Sequence, residues 1–194
     1  MTPLTQAGML VINTLVGLYL LIVILRFLLQ LVRADFYNPI SQFIVKATNP
    51  LLLPLRKVVP GFGGIDLASL VLALLLQTIA IVLILLLNGI QPPLQVVMWA
   101  AIGIISLVLK VYFWGLLITV IASWIAPNSY NPALILINQI LEPAIKPIRK
   151  MMPDMGGIDI SPIVVFLLIQ VTEIILVRGL AQASGMPAGL VMGV

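Results

Sequence analysis

One long segment occurs twice in this chain, without a gap. YNPISQFIVKATNPLLLPLRKVVPGFGGIDLASLVLALLLQ, residues 37–77, matches YNPALILINQILEPAIKPIRKMMPDMGGIDISPIVVFLLIQ, residues 130–170, at a constant offset of 93. Leucine and isoleucine coincidences are expected in a chain that is 62% hydrophobic, but the shared positions go well beyond them. Tyr37, Asn38, Pro39, Pro50, Pro54, Arg56, Lys57, Pro60, Gly63, Gly64, Ile65, Asp66 and Gln77 all meet the same residue 93 positions on. Whatever unit residues 1–93 form, residues 94–194 form again.

That unit is a pair of membrane spans. Only 8% of residues are charged, against roughly 25% in a soluble domain, too few to cover a water-facing surface. Four apolar windows reach or exceed the roughly 20 residues a helix needs to cross a hydrocarbon core: about Met9–Val32, Leu67–Ile90, a stretch within Leu94–Ile125, and about Ile160–Leu180. The third, as one helix, is about 48 Å long at 1.5 Å per residue, so its early part, LQVVMWA, is expected to tilt or lie at the interface. The N-terminal MTPLTQAGML lacks the basic start and cleavage site of a signal peptide and reads as a retained first span. The expected fold is all-α and integral to the membrane: four transmembrane helices as two hairpin repeats of parallel topology, with short interfacial helices in the long loops.

Charge sets the expected orientation. Arg33, Lys46, Arg56 and Lys57 lie in the first long loop, and Lys146, Arg149 and Lys150 in the second; the N-terminus, the NGIQPP turn and the tail after Arg178 carry no Lys or Arg. The positive-inside rule puts both loops in the cytoplasm and both termini outside. Each loop is too long to be a passive connector. Asn38-Pro39 reads as a helix start, Asn49-Pro50 as its end, and PLLLPLRKVV as a second short turn lying in the interface with Arg56-Lys57, and by repetition Arg149-Lys150, among anionic headgroups. The loops are then either lipid-facing collars or one platform that docks a protein partner.

The Gly-Gly-Ile-Asp step explains itself as a corner. Gly63-Gly64 and Gly156-Gly157 supply the backbone angles of a tight reversal, and Asp66 and Asp159 are placed to cap the spans that follow. The rival reading is an ion shared by the two acids. Within the spans, Arg26, Gln30, Gln77, Lys110, Gln170 and Glu173 are polar at membrane depth, where an ionisable group is a functional hypothesis by default. Glu173 must pair or sit protonated, with Lys110 and Arg26 as candidate partners; the two glutamines are expected to bond between helices.

The stretches RFLLQLVRADFYNPISQFIVKATNPLLLPLRKVVPGFGGIDLASLV and EPAIKPIRKMMPDMGGIDISPIVV resemble the YggT family of small bacterial membrane proteins, in the two-copy form of proteobacteria. The resemblance covers nearly the whole chain and implies a multi-pass protein of the inner membrane. It also implies association with osmotic or ionic stress tolerance and with cell-division gene neighbourhoods, and plastid relatives are linked to nucleoid distribution and to assembly of a b-type cytochrome. The second copy departs from the first at Glu142, which stands where Asn49 does, and at Thr119, which stands where Arg26 does.

With no cysteine and no histidine, disulfides, thiolate nucleophiles and the usual zinc ligands are absent, and no nucleophile–base pair can be assembled. No cofactor, metal site, catalytic residue or nucleic-acid contact is expected. The reading is a non-enzymatic membrane scaffold or assembly factor working through its two basic loops. Its expected partners are the bilayer's anionic headgroups, an unidentified protein and a second copy of the chain. The alternative is a small ion or solute transporter with a polar path between the spans.

Overall fold

A computed structural model describes residues 3–126, 130–152, 159–187 and 189–190. The described residues form helices α1 (Pro3–Leu31), α2 (Pro39–Arg56), α3 (Leu67–Leu87), α4 (Val96–Ile125), α5 (Pro132–Met151), α6 (Ser161–Thr172) and α7 (Gly179–Ala183), with a π-helical segment, Glu173–Arg178, joining the last two into one span. Four helical stretches are long and apolar enough to cross a membrane: α1, α3, α4 and Ser161–Ala183. The third window is thus one helix of 30 residues that begins at Val96.

The hairpins lie side by side. α1 packs along α3, α4 packs along the final span, and α3 against α4 joins the copies. α3 is the most enclosed span, with 39% of its most apolar window buried against 17% in each of the others. It is also the most hydrophobic and carries no charge. The remaining apolar faces point outward, as helices bathed in lipid require. Leu20, Val23, Ile24, Leu28 and Leu29 of α1 close on Leu72 and Ala73 of α3 toward the loop side. Ile84, Val96, Trp99, Ala181 and Leu190 cluster at the side where the chain's two ends lie.

The loop helices correct the sequence reading. Asn38 does cap α2, its side chain accepting from the Ile40 amide at 2.9 Å, and Asn131 caps α5 through Ala133 at 2.8 Å. Asn49-Pro50, however, does not end α2. One helix of 18 residues runs through Pro50 and Pro54, and α5 runs through Pro143 and Pro147 for 20 residues. The prolines stand four apart on the exposed face of each helix. The opposite face, Ser41, Ile44, Thr48 and Leu52, is fully or almost fully buried. Packing of that face outweighs the local cost of proline in a helix.

Past α2 the chain turns through Gly63 and Gly64, whose φ angles of 60° and 85° lie in the left-handed region, and a Phe62–Ile65 bridge closes the corner. Gly156 and Gly157 lie outside the described residues. A third glycine, Gly115 of α4, is a contact point: a Cβ there would sit 3.3 Å from Ile137 and 3.5 Å from Leu141 of α5. Gly115→Leu is expected to pry α5 off α4 and cost about 1–3 kcal/mol. Gly179→Ala, at a site with open space around it, should leave the melting temperature in detergent unchanged or raised.

Candidate functional site

Two polar constellations stand out, one at the loop-side corner and one at membrane depth. At the corner, Arg56 at the end of α2 turns inward. Its Nη2 donates to Asp66 Oδ2 at 2.6 Å and to Gln30 Oε1 at 3.0 Å, tying together the ends of α1, α2 and α3. Asp66 is the N-cap of α3, accepting from the Ser69 amide at 3.4 Å and the Ser69 hydroxyl at 2.6 Å, and it is only 3% exposed. Burial alone pushes its carboxyl up, but the hydrogen bonds from Arg56 and Ser69 and the Arg56 charge together hold it below the ordinary value. Arg26, one turn before Gln30, is buried. Its Nη1 reaches Thr48 Oγ1 at 3.5 Å, its Nε has no partner, and it feels the charges of Arg56 and Asp66.

The second copy builds the same corner loosely. Arg149 bonds Asp159 at 2.9 Å, with Glu142 at 4.0 Å, and all three side chains are about half exposed. Asp159 stands two residues before α6, accepting from the Ser161 amide at 2.9 Å and from the Ser161 hydroxyl. Those Ser161 bonds come first, and with Arg149 they outweigh burial and hold the Asp159 carboxyl low. Thr119 and Ser123, standing where Arg26 and Gln30 do, donate to carbonyls of their own helix. Each acid is therefore taken up by the arginine ten residues before it in its own copy. Of the four basic residues assigned to headgroups, Arg56 and Arg149 are engaged in ion pairs, while Lys57 and Lys150 are exposed.

At membrane depth, Lys110, Gln170, Glu173 and Arg178 line a pocket of about 370 Å³ between α4 and the last span, with Phe113 and Trp114 on its wall. Glu173 is 9% exposed; Oε1 accepts from the Ser106 hydroxyl at 2.9 Å, and Oε2 is buried with no partner. Among the described residues Glu173 forms no ion pair with Lys110 or with Arg26, so neither expected pairing is made. Gln77 is buried and lines a small cleft with Asn13, whereas Gln170 is exposed. The equivalent glutamines thus sit in different surroundings.

Sequence reading missed the π-helical turn that begins at Glu173. Nothing in EIILVR marks it, and the matching stretch of the first copy, Ala80–Leu85, is regular α-helix. Ser106 was missed as well; its signal was a hydroxyl four residues before Lys110, on the same helix face.

These features define a multi-pass membrane protein made of two diverged copies of one helical hairpin. The chain belongs to the CCB3/YggT family, whose model matches it twice, over residues 5–87 and 98–180. It is 54% identical to an uncharacterized protein of Pseudomonas aeruginosa over 98% of both chains. It is 41% identical to an uncharacterized protein from the proC 3′ region of Vibrio alginolyticus, over 82% of this chain and 87% of that one, and 37% identical to the protein YggT of Escherichia coli over 90% of each. No solved structure matches.

Proposed function

We propose that this protein is a non-enzymatic scaffold or assembly factor of the bacterial inner membrane, with α2 and α5 forming one cytoplasmic docking platform. The supporting observation is that the loops of the two copies are bonded to each other. Asn38 Nδ2 donates to Pro132 O at 2.9 Å, and the Asp35 amide donates to Gln139 Oε1 at 3.1 Å. Lipid-facing collars that merely hold each hairpin at its depth have no need of such ties. The joined surface exposes Lys46, Lys57, Lys146 and Lys150, which suits a partner with an acidic face.

The native chain contains no cysteine, so single cysteines at Lys57 and Lys150 report both orientation and contact. An impermeant maleimide should label them in inside-out vesicles and not in intact spheroplasts. Photo-crosslinkers on the same cysteines should yield a discrete protein adduct that neutralising the three remaining lysines of the set Lys46, Lys57, Lys146 and Lys150 reduces. Adduct yield indifferent to those lysines removes the platform. Asn38→Ala, which deletes a cap and a bond between copies together, should cost about 1–2 kcal/mol and lower the adduct yield, whereas Asn131→Ala should cost only the cap.

A second reading, a solute path, is favoured by the unpartnered Glu173 oxygen in a pocket at membrane depth. Flux through sealed liposomes that depends on both Glu173 and Lys110 would support this path over the scaffold.

A further inference from the structure

The duplicated fold makes the same intramembrane position twice, and the two versions differ in kind. In the first copy Asn13, Gly17, Gln77 and Ala80 border a cleft of about 20 Å³, room for a single water. Their counterparts 93 residues on are Ser106, Lys110, Gln170 and Glu173, and three of these line the 370 Å³ pocket while Ser106 holds Glu173 from behind. The first copy shows that packing this hairpin requires neither charge nor a solute-sized cavity at the position. The second copy carries both, and places a π-turn, a feature frequent at functional sites, at the residue that bears the carboxylate.

We propose that this pocket binds a small zwitterionic solute, one carrying a carboxylate and an ammonium group on a compact frame. Lys110 and Arg178 line the pocket and form no ion pair among the described residues, so they offer donors for a carboxylate. Glu173 lines the same pocket, and its Oε2 is an acceptor without a donor among the described residues, the complement an ammonium requires. A simple anion leaves that oxygen unsatisfied, and a simple cation adds charge beside two uncompensated cations. A solute bearing both groups answers the whole set, with the Gln170 amide able to donate or accept. The volume lies in the range of small-molecule sites. Lys110 sits midway along α4 (Val96–Ile125), roughly 20 Å from either helix end by helix rise, too deep for a phospholipid headgroup.

This assignment rests on the pocket reading rather than on the platform, and binding is measured separately from flux. The full chain in lipid nanodiscs should show saturable contact, by saturation-transfer NMR, with members of a panel of zwitterionic α-amino acids running from glycine to phenylalanine. Acetate and methylammonium should show none at equal concentration. Glu173→Gln and Lys110→Met should each weaken binding roughly tenfold or more, the loss of one charge-assisted hydrogen bond. Lys110→Arg should retain binding, and Asn13→Ala, in the first-copy cleft, should leave it unchanged. Failure of every panel member to bind, equal binding of acetate or methylammonium, or wild-type affinity in variants that keep the wild-type helical spectrum would overturn the proposal. Binding with no flux would keep the site and remove the solute path.

Discussion

Asp66→Asn is expected to cost the fold about 2–4 kcal/mol, and Asp159→Asn less than about 1 kcal/mol, although the two residues are copies of each other. A buried ion pair broken on one side leaves an uncompensated charge, typically about 3–5 kcal/mol. The Arg56 side chain is 32% exposed, so part of that penalty is relieved by water. Asp66 also answers Arg26, which is 6% exposed and has no carboxylate of its own. Removing it takes away the acid, among the described residues, whose charge acts on Arg26 alongside that of Arg56. The Arg149–Asp159 pair is about half exposed on both sides, where ion pairs contribute little. Thermal unfolding of both variants in the same detergent gives the comparison, and equal losses would show the two corners to be equivalent after all.

The same pair sets a pH dependence. The folded Asp66 carboxyl titrates below its ordinary value. It binds fewer protons folded than unfolded, so its contribution is complete above the unfolded value of about 4. As pH falls below that and through the folded value, the contribution is lost. Acid sensitivity in that window should therefore shrink in Asp66→Asn.

Replacing Ser106 and Glu173 together by Ala and Leu should stabilise the protein by about 1–3 kcal/mol. An acid at the centre of a membrane helix is penalised by roughly 2.5–3.5 kcal/mol on insertion scales, and here one carboxylate oxygen goes without compensation. The double change removes the Ser106 hydroxyl that donates to Glu173 together with the carboxylate. The expected readout is a melting temperature several degrees higher, accompanied by loss of amino-acid binding. Stability surrendered for a working group is a common pattern at functional sites. A double variant that melts lower would instead make Glu173 a structural tie.

Much of this was written in the sequence, and the reasons are physical. Apolar length and a gapless repeat are strong, local signals, so the four spans, the two hairpins and the Gly63-Gly64 corner could be read directly. Asn38 and Asn131 were legible as caps because capping is decided within a few residues. The continuity of α2 through Pro50 was not, since it depends on Ile44, Thr48 and Leu52 finding partners on other helices. Direct contacts between distant elements were equally hidden. Arg56 looked like a headgroup ligand because its partners Gln30 and Asp66 lie on other helices, and Glu173 looked like half of an ion pair because its spacing from Lys110 is set only in the packed bundle.

The paired prolines of α2 and α5 have one more effect. Pro50 and Pro54 offer no amide hydrogen, so the carbonyls of Lys46 and Pro50 lose their usual donor, as do those of Gln139 and Pro143 in α5. Sinking such oxygens into hydrocarbon would cost several kcal/mol apiece, while water or a headgroup ammonium satisfies them at the surface. The proline face of each helix is therefore expected to stand where water or headgroups reach it, while Ile44, Thr48 and Leu52 hold α2 against the spans.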